Sequence, residues 1–311
     1  MNIGGKGDWG QGMKGILLLN MGGARSAQEL RSFLFNMFSD PRIIGSPVRY
    51  LLAPLLSSLR YKKVWRKYEL IGGSKIYQHT DRLVDKLRRR TGAEVFPVMR
   101  YTHPLAEDLF REQKFDELIL VPLYPHYSST TTQSSVEDVH RGLGKSGQRP
   151  LVREIGPYYD DPRFNASIVE RIREQYEDSG FHLIFSAHGL PQKIAARDPY
   201  AGQIERHVAL LKSLLPETGL HFKGVHLAYQ SRVGPMRWLE PSLHDVLQGL
   251  AGEKVIVYPL SFTIDNSETD LELAIEYKEL AQTLGLEDYR VCRVQNDSDA
   301  FVEFLAARIA E

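Results

Sequence analysis

Cysteine is nearly absent: the 311 residues include one, Cys292. A single thiol forms no internal disulfide and cannot supply the several thiolates of a protein-held iron–sulfur cluster. Such cysteine poverty fits a reducing, cytoplasmic compartment. Excess charge is absent as well. Lys plus Arg and Asp plus Glu number 39 each, so no global basic field draws the chain to nucleic acid, and none is expected as a partner. No apolar run approaches the ~20 residues of a membrane span. The nearest, Tyr50-Leu51-Leu52-Ala53-Pro54-Leu55-Leu56, is short and broken by proline. Residues 1–14 are Gly-rich and polar, lack the apolar centre of an export signal, and read as a flexible start.

What is present is an ordinary globular composition, 42% hydrophobic, in a chain long enough for two domains. Apolar stretches over 15–20, 94–99, 117–123 and 150–155 read as strands ending in Gly, Pro or polar loops. Helical signals lie between them. Ser26 is an N-cap with Glu29 as its capping-box partner. Residues 64–69 are helical up to Gly72-Gly73, and 80–90 form an amphipathic helix. Residues 47–63 read either as a core-facing helix with a solvated end or as an apolar lip at a pocket mouth, able to touch a membrane surface. Strands alternating with helices argue for βαβ units and parallel sheets.

The second half repeats this plan, with strands over 182–186, 222–228, 254–260 and 289–294. Val121-Pro122-Leu123-Tyr124 matches Tyr258-Pro259-Leu260-Ser261, and Asp160-Asp161-Pro162-Arg163-Phe164 resembles Asp297-Ser298-Asp299-Ala300-Phe301. The fold class is α/β: two similar Rossmann-like domains, each a four-stranded parallel sheet flanked by helices, over 15–155 and 156–298. A last helix, 299–311, crosses back to the first domain.

Two strand ends carry chemistry. His188 follows the apolar run 183–187 and precedes Gly189-Leu190-Pro191, which places it at a strand's carboxyl edge, where open α/β sheets bind ligands. After the strand at 254–260 come Glu268, Glu272 and Glu276, spaced by four, so an α-helix would stack them on one face. Like charges at that spacing repel unless a cation meets them. One imidazole and a carboxylate row suit a metal cation and proton transfer. Taken singly, a histidine at a strand end or a glutamate row is more often structural or solvated; His79, His103 and His126 are read that way.

Six pieces in order give the chain a resemblance to the ferrochelatases, which insert ferrous iron into a porphyrin. They are Leu19-Asn20-Met21-Gly22-Gly23, Arg100-Tyr101-Thr102-His103-Pro104-Leu105, Tyr124-Pro125-His126-Tyr127-Ser128, Ser186-Ala187-His188-Gly189-Leu190-Pro191, Tyr229-Gln230-Ser231-Arg232-Val233-Gly234-Pro235 and the carboxylate row. The resemblance implies a chelatase-like fold, with His188 and Glu268 as catalytic and metal-binding residues. Glu272 and Glu276 would be an acidic track on a helix with a π-type widening. It implies Fe2+ and protoporphyrin IX as substrates and no prosthetic group. Met21, Ile43, Leu51 and Leu55 are expected as apolar walls. Arg42, Arg100, Ser231 and Arg232 are expected at propionates, and Tyr101 and Tyr124 at the cleft. The chain departs from the family pattern at Asn266, where many relatives carry a second histidine, and at Lys75, where many carry proline. Two rival functions stand beside this one: a related chelatase acting on cobalt, nickel or coproporphyrin, and a non-enzymatic binder of haem or a small ligand. Oligomeric state is not legible.

Overall fold

The computed structural model describes residues 13–232 and 236–311. The flexible start therefore lies mostly outside the described residues, as do Val233, Gly234 and Pro235. Strands β1 (Lys14–Asn20), β2 (Glu94–Met99), β3 (Glu117–Pro122) and β4 (Leu151–Glu154) form one sheet in the order β2-β1-β3-β4. Strands β5 (Phe181–His188), β6 (Gly224–Gln230), β7 (Lys254–Pro259) and β8 (Asp288–Val291) form a second in the order β6-β5-β7-β8. Every pairing between these strands is parallel.

Parallel strands covered on both faces read as unbroken apolar runs. In β1 the faces divide by alternation: Ile16 and Leu18 enter one core cluster, Leu17 and Leu19 another. The first cluster also takes in Leu183, Phe185 and Ala187 of β5, so the sheets share a continuous core. Each fully buried Leu, Ile or Phe side chain among them contributes roughly 1.5–3 kcal/mol. The final helix, Asp299–Ala310, packs its Phe301 and Phe304 into that core and pairs with the Ile76–Thr91 helix through Lys86–Asp299 (2.7 Å) and Arg90–Glu303 (2.6 Å). In each sheet the chain leaves the first strand toward one edge and returns past it. The resulting switch points lie between β1 and β3 and between β5 and β7.

Local signals translate with two differences. Ser26 Oγ accepts from the Glu29 N–H, but the Glu29 carboxylate accepts from the Arg25 N–H rather than closing the box on Ser26. The separate helical stretches expected over 47–63 and 64–69 are one helix, Arg49–Tyr68, followed by a tight turn over Glu69–Ile71. Pro54 sits inside it. Its missing donor deprives the Tyr50 carbonyl of a partner, which costs little because Tyr50 is exposed. Leu51, Leu55 and Leu59 on this helix are also exposed.

Candidate active site

Residues Glu268–Glu276 form a π-helix, not the α-helix that would stack residues four apart. The Tyr277 N–H donates to the Glu272 carbonyl, five residues back. The wider turn rotates the carboxylates away from a common column, so the expected single row does not form. Asn266 opens this helix, its Oδ1 accepting from the Glu268 N–H at 2.8 Å. It therefore has a capping task in place of an imidazole's.

His188 is the last residue of β5 and Glu268 begins the helix after β7, so both stand at the second sheet's switch point. His188 Nδ1 and Glu268 Oε2 are 2.7 Å apart. Both side chains keep partial exposure, 36% and 30%. Burial alone would lower the imidazole's pKa, but the Glu268 charge and hydrogen bond outweigh it, and the pKa is raised. Burial likewise pushes the carboxyl up. His188, with hydrogen bonds from Ser231 and Gln230, reverses that and lowers it. Both directions describe an ionised carboxylate accepting from Nδ1–H. Nε2 makes no hydrogen bond among the described residues and is the nitrogen open to a substrate.

The backbone behind the imidazole is fixed by residues that sequence reasoning missed. The His188 N–H donates to Ser261 Oγ (3.0 Å), and the Tyr200 hydroxyl donates to the His188 carbonyl (2.9 Å). Ser186 Oγ donates to Gln230 Oε1 at 2.6 Å, orienting Gln230 beside Glu268. Ser186 and Gln230 stood inside motif pieces and Ser261 at a strand end, but nothing local gave them or Tyr200 this role.

Ser231 lies between the carboxylates. Its hydroxyl is 3.0 Å from Glu268 Oε2 and 2.5 Å from Glu272 Oε2, and its N–H donates to Glu272 Oε1 at 2.9 Å. It has φ 65°, a left-handed conformation that is uncommon outside glycine and is held here by these bonds. Expected at a propionate, Ser231 is instead committed to the acids. Burial and the Glu268 charge push Glu272 up to about 7. Glu276 points elsewhere and pairs with Lys67 of the Arg49–Tyr68 helix at 2.5 Å. Leu271 and Ile275 pack against that helix and against Ala27–Ser39, and the Tyr68 hydroxyl donates to Ser267 Oγ at 2.8 Å. The helix pair thus closes one side of the site. Asp270, not anticipated, is pushed up to about 6 by burial and by Asp265.

The first-domain residues divide. Tyr101 is fully buried with its hydroxyl on Asp40 at 2.9 Å, so it supports the cleft rather than lining it. Arg100 bonds Asp40 (2.8 Å) and Ser134 (2.8 Å), with Asp138 at 3.4 Å, and so is engaged internally instead of free for a propionate. Asp40, wholly buried at the centre of this network, was missed. Arg42 donates to Glu137 at 3.1 Å, and Arg232, exposed, donates to the Leu239 carbonyl at 2.9 Å. Tyr124 is half-buried on Ser135 Oγ at 3.2 Å. Met21 and Ile43 are half-buried. His126 is buried between the domains, bonded to His207 (2.9 Å). Among the described residues no three His, Cys, Asp or Glu side chains gather as a metal set, and no helix is long and apolar enough to cross a membrane.

Residues 13–311 match the Ferrochelatase family. The chain is 45% identical over 303 residues to the ferrochelatase of Sulfurimonas denitrificans, covering 93% of this chain and 96% of that one. It is 44% identical over 310 residues to that of Wolinella succinogenes, covering 96% and 98%. With SirB from Bacillus subtilis, a structure with Fe3+, it shares 11% identity at a TM-score of 0.59, covering 96% of this chain and 95% of that one, a likeness of fold alone. By sequence over nearly its whole length, this chain belongs to the ferrochelatase family.

Proposed function

We propose that the protein inserts Fe2+ into protoporphyrin IX with loss of two pyrrole protons, giving protohaem. The observation that carries this reading is the 2.7 Å pair of His188 and Glu268 at the switch point, with Nε2 unbonded. A free-base porphyrin sheds two N–H protons as iron enters, and a base near neutral pH must take them. An imidazole ordinarily titrates near about 6.5; the Glu268 carboxylate raises His188 above that, which makes its unprotonated Nε2 the stronger proton acceptor. Glu268 holds Nδ1–H, which leaves Nε2 as the base and stabilises the imidazolium once formed. Ferrous iron accepts imidazole and carboxylate donors, so the same pair serves as the handover point for the substrate metal. Glu272, reached through Ser231, takes protons onward, while Glu276, paired with Lys67, stands apart from that path.

Met21, Ile43, Leu51 and Leu55 form the apolar wall of the macrocycle site in this reading. Arg42 and Arg232 approach the propionates, with Arg100, Tyr101 and Tyr124 behind them. Metal insertion needs no prosthetic group here, and one cysteine cannot support an iron–sulfur cluster. The exposed Leu51, Leu55 and Leu59, near Arg60, Lys62 and Lys63, make the Arg49–Tyr68 helix the peripheral membrane contact of a cytoplasmic enzyme. Flotation with anionic liposomes tests this, and loss of binding is expected for Leu51→Ser/Leu55→Ser.

A spectrophotometric assay tests the activity. Protoporphyrin IX with Fe2+ or Zn2+ should lose its free-base bands in the presence of the protein. His188→Ala and Glu268→Gln should abolish that change while still binding porphyrin; unchanged turnover by both variants would overturn the reading.

A further inference from the structure

At the opposite end of the second sheet, His182 near the start of β5 and His226 on the edge strand β6 stand as diagonal neighbours. The register sets Gly224 opposite His182 and Ile184 opposite His226. His182 Nδ1 and His226 Nε2 are 2.9 Å apart, with ring planes tilted by 33°. That separation fits two readings: a shared proton, or two donors held cis on one ion. Nitrogen–metal bonds of about 2.0–2.1 Å at a right angle put the nitrogens ~2.9 Å apart.

Two further observations favour the ion. A Cβ on Gly224 would fall 2.7 Å from His182 Nδ1 and 2.9 Å from His226 Nε2, so the glycine keeps clear the space beside both nitrogens. His182 Nε2 is buried without a hydrogen-bond partner, and Glu253 Oε2 lies 3.8 Å from it. A carboxylate behind the far nitrogen is the usual setting of a metal-bound histidine, fixing its tautomer.

We infer that His182 Nδ1 and His226 Nε2 form a two-histidine clamp for a borderline divalent transition-metal ion, with Glu253 orienting His182. Water completes the coordination. When the ion binds, the proton on His226 Nε2 moves to its Nδ1, and His182 keeps Nε2–H toward Glu253. Glu253 also holds Lys223 at 2.6 Å, so it acts as an orienting group and not as a ligand. Two imidazoles without thiolate rank Cu2+ above Ni2+ and Zn2+. The six-residue step along β5 from His182 to His188 sets this clamp about 20 Å from the catalytic pair, and the inference does not depend on the proposed activity.

The test is Cu2+ binding to the full chain, read by titration and by the nitrogen couplings in the electron paramagnetic resonance spectrum. His188→Ala/Glu268→Gln removes the catalytic donors and should still bind one Cu2+ with two nitrogen couplings. Adding His226→Gln, on a half-exposed edge strand, should weaken that site about tenfold or more and leave one coupling. Gly224→Ala, which leaves both imidazoles in place, should weaken it too. Circular dichroism checks that each variant folds, and His226→Gln decides alone if Gly224→Ala does not. A plain imidazole–imidazole hydrogen bond gives the contrary result. Either Cu2+ affinity is unchanged by His226→Gln, or the His188→Ala/Glu268→Gln protein binds no Cu2+.

Discussion

The two domains build equivalent strand tips and put different chemistry on them. Leu19 pairs with Pro122 as Ser186 pairs with Pro259. The Leu123 N–H then donates to the Leu19 carbonyl (2.9 Å) as the Leu260 N–H does to that of Ser186 (2.8 Å). Met21 therefore stands where His188 does. Thr131 follows Pro122 by the same step as Glu268 follows Pro259, and both lie in π-helical turns, Ser129–Gln133 and Glu268–Glu276. The first domain fills these positions with a thioether and a hydroxyl, the second with an imidazole and a carboxylate. The shared backbone supplies position and the side chains supply reactivity. The first domain's tips suit contact with a macrocycle, and the second's suit metal and protons.

Substitutions that exchange these roles should differ sharply in effect. His188→Ala should cost the insertion rate on the order of 10³-fold, within the range for losing a positioned general base. Its counterpart Met21→Ala should act mainly on porphyrin affinity. Glu272→Gln should slow insertion by about tenfold, less than Glu268→Gln, because it lies one step farther along the proton path. With Glu272 at about 7, wild-type rate should fall as pH drops through that value, since the protonated acid accepts nothing more. The variant's pH–rate profile should lose the Glu272 contribution and keep only the limb set by protonation of His188 Nε2.

The same group links to stability. Its folded pKa lies above the ordinary 4.5, so the wild type loses stability as pH rises from about 4.5 to 7. Glu272→Gln should raise the melting temperature above pH 7 and give no advantage below about pH 4.5. Asp270→Asn should do the same over a lower window, from about 4 to 6, with a gain of order 1 kcal/mol. The smallest effect is expected at the first domain's counterpart of Glu268: Thr131→Ala should change the insertion rate by less than about twofold. A loss there as large as that from Glu268→Gln would remove the functional asymmetry between the domains.

Much of this was legible in the sequence because it is written locally. Most of the described strands are short apolar runs between breakers; His188 ends one of them and Glu268 follows another after a short loop. What was not legible depends on contacts distant along the chain. Arg100 and Tyr101 read as cleft residues until Asp40, sixty residues away, is seen to claim both. Ser231 read as a propionate partner because only its left-handed backbone turns it toward Glu272. The merging of 47–63 with 64–69 was hidden by the charged run Arg60-Tyr61-Lys62-Lys63, which reads as a solvated helix end. The π-widening has no signature in the Glu spacing and was anticipated only through the family resemblance.

The central claim is that His188 Nε2, held by Glu268 on Nδ1, faces the middle of a bound tetrapyrrole. A crystal structure of the full chain with metal-free protoporphyrin IX tests it most directly. The account predicts Nε2 facing the pyrrole nitrogens from one side, with Glu268 still on Nδ1. A macrocycle bound away from the β5 and β7 tips, or an imidazole turned into packed hydrocarbon, would contradict it.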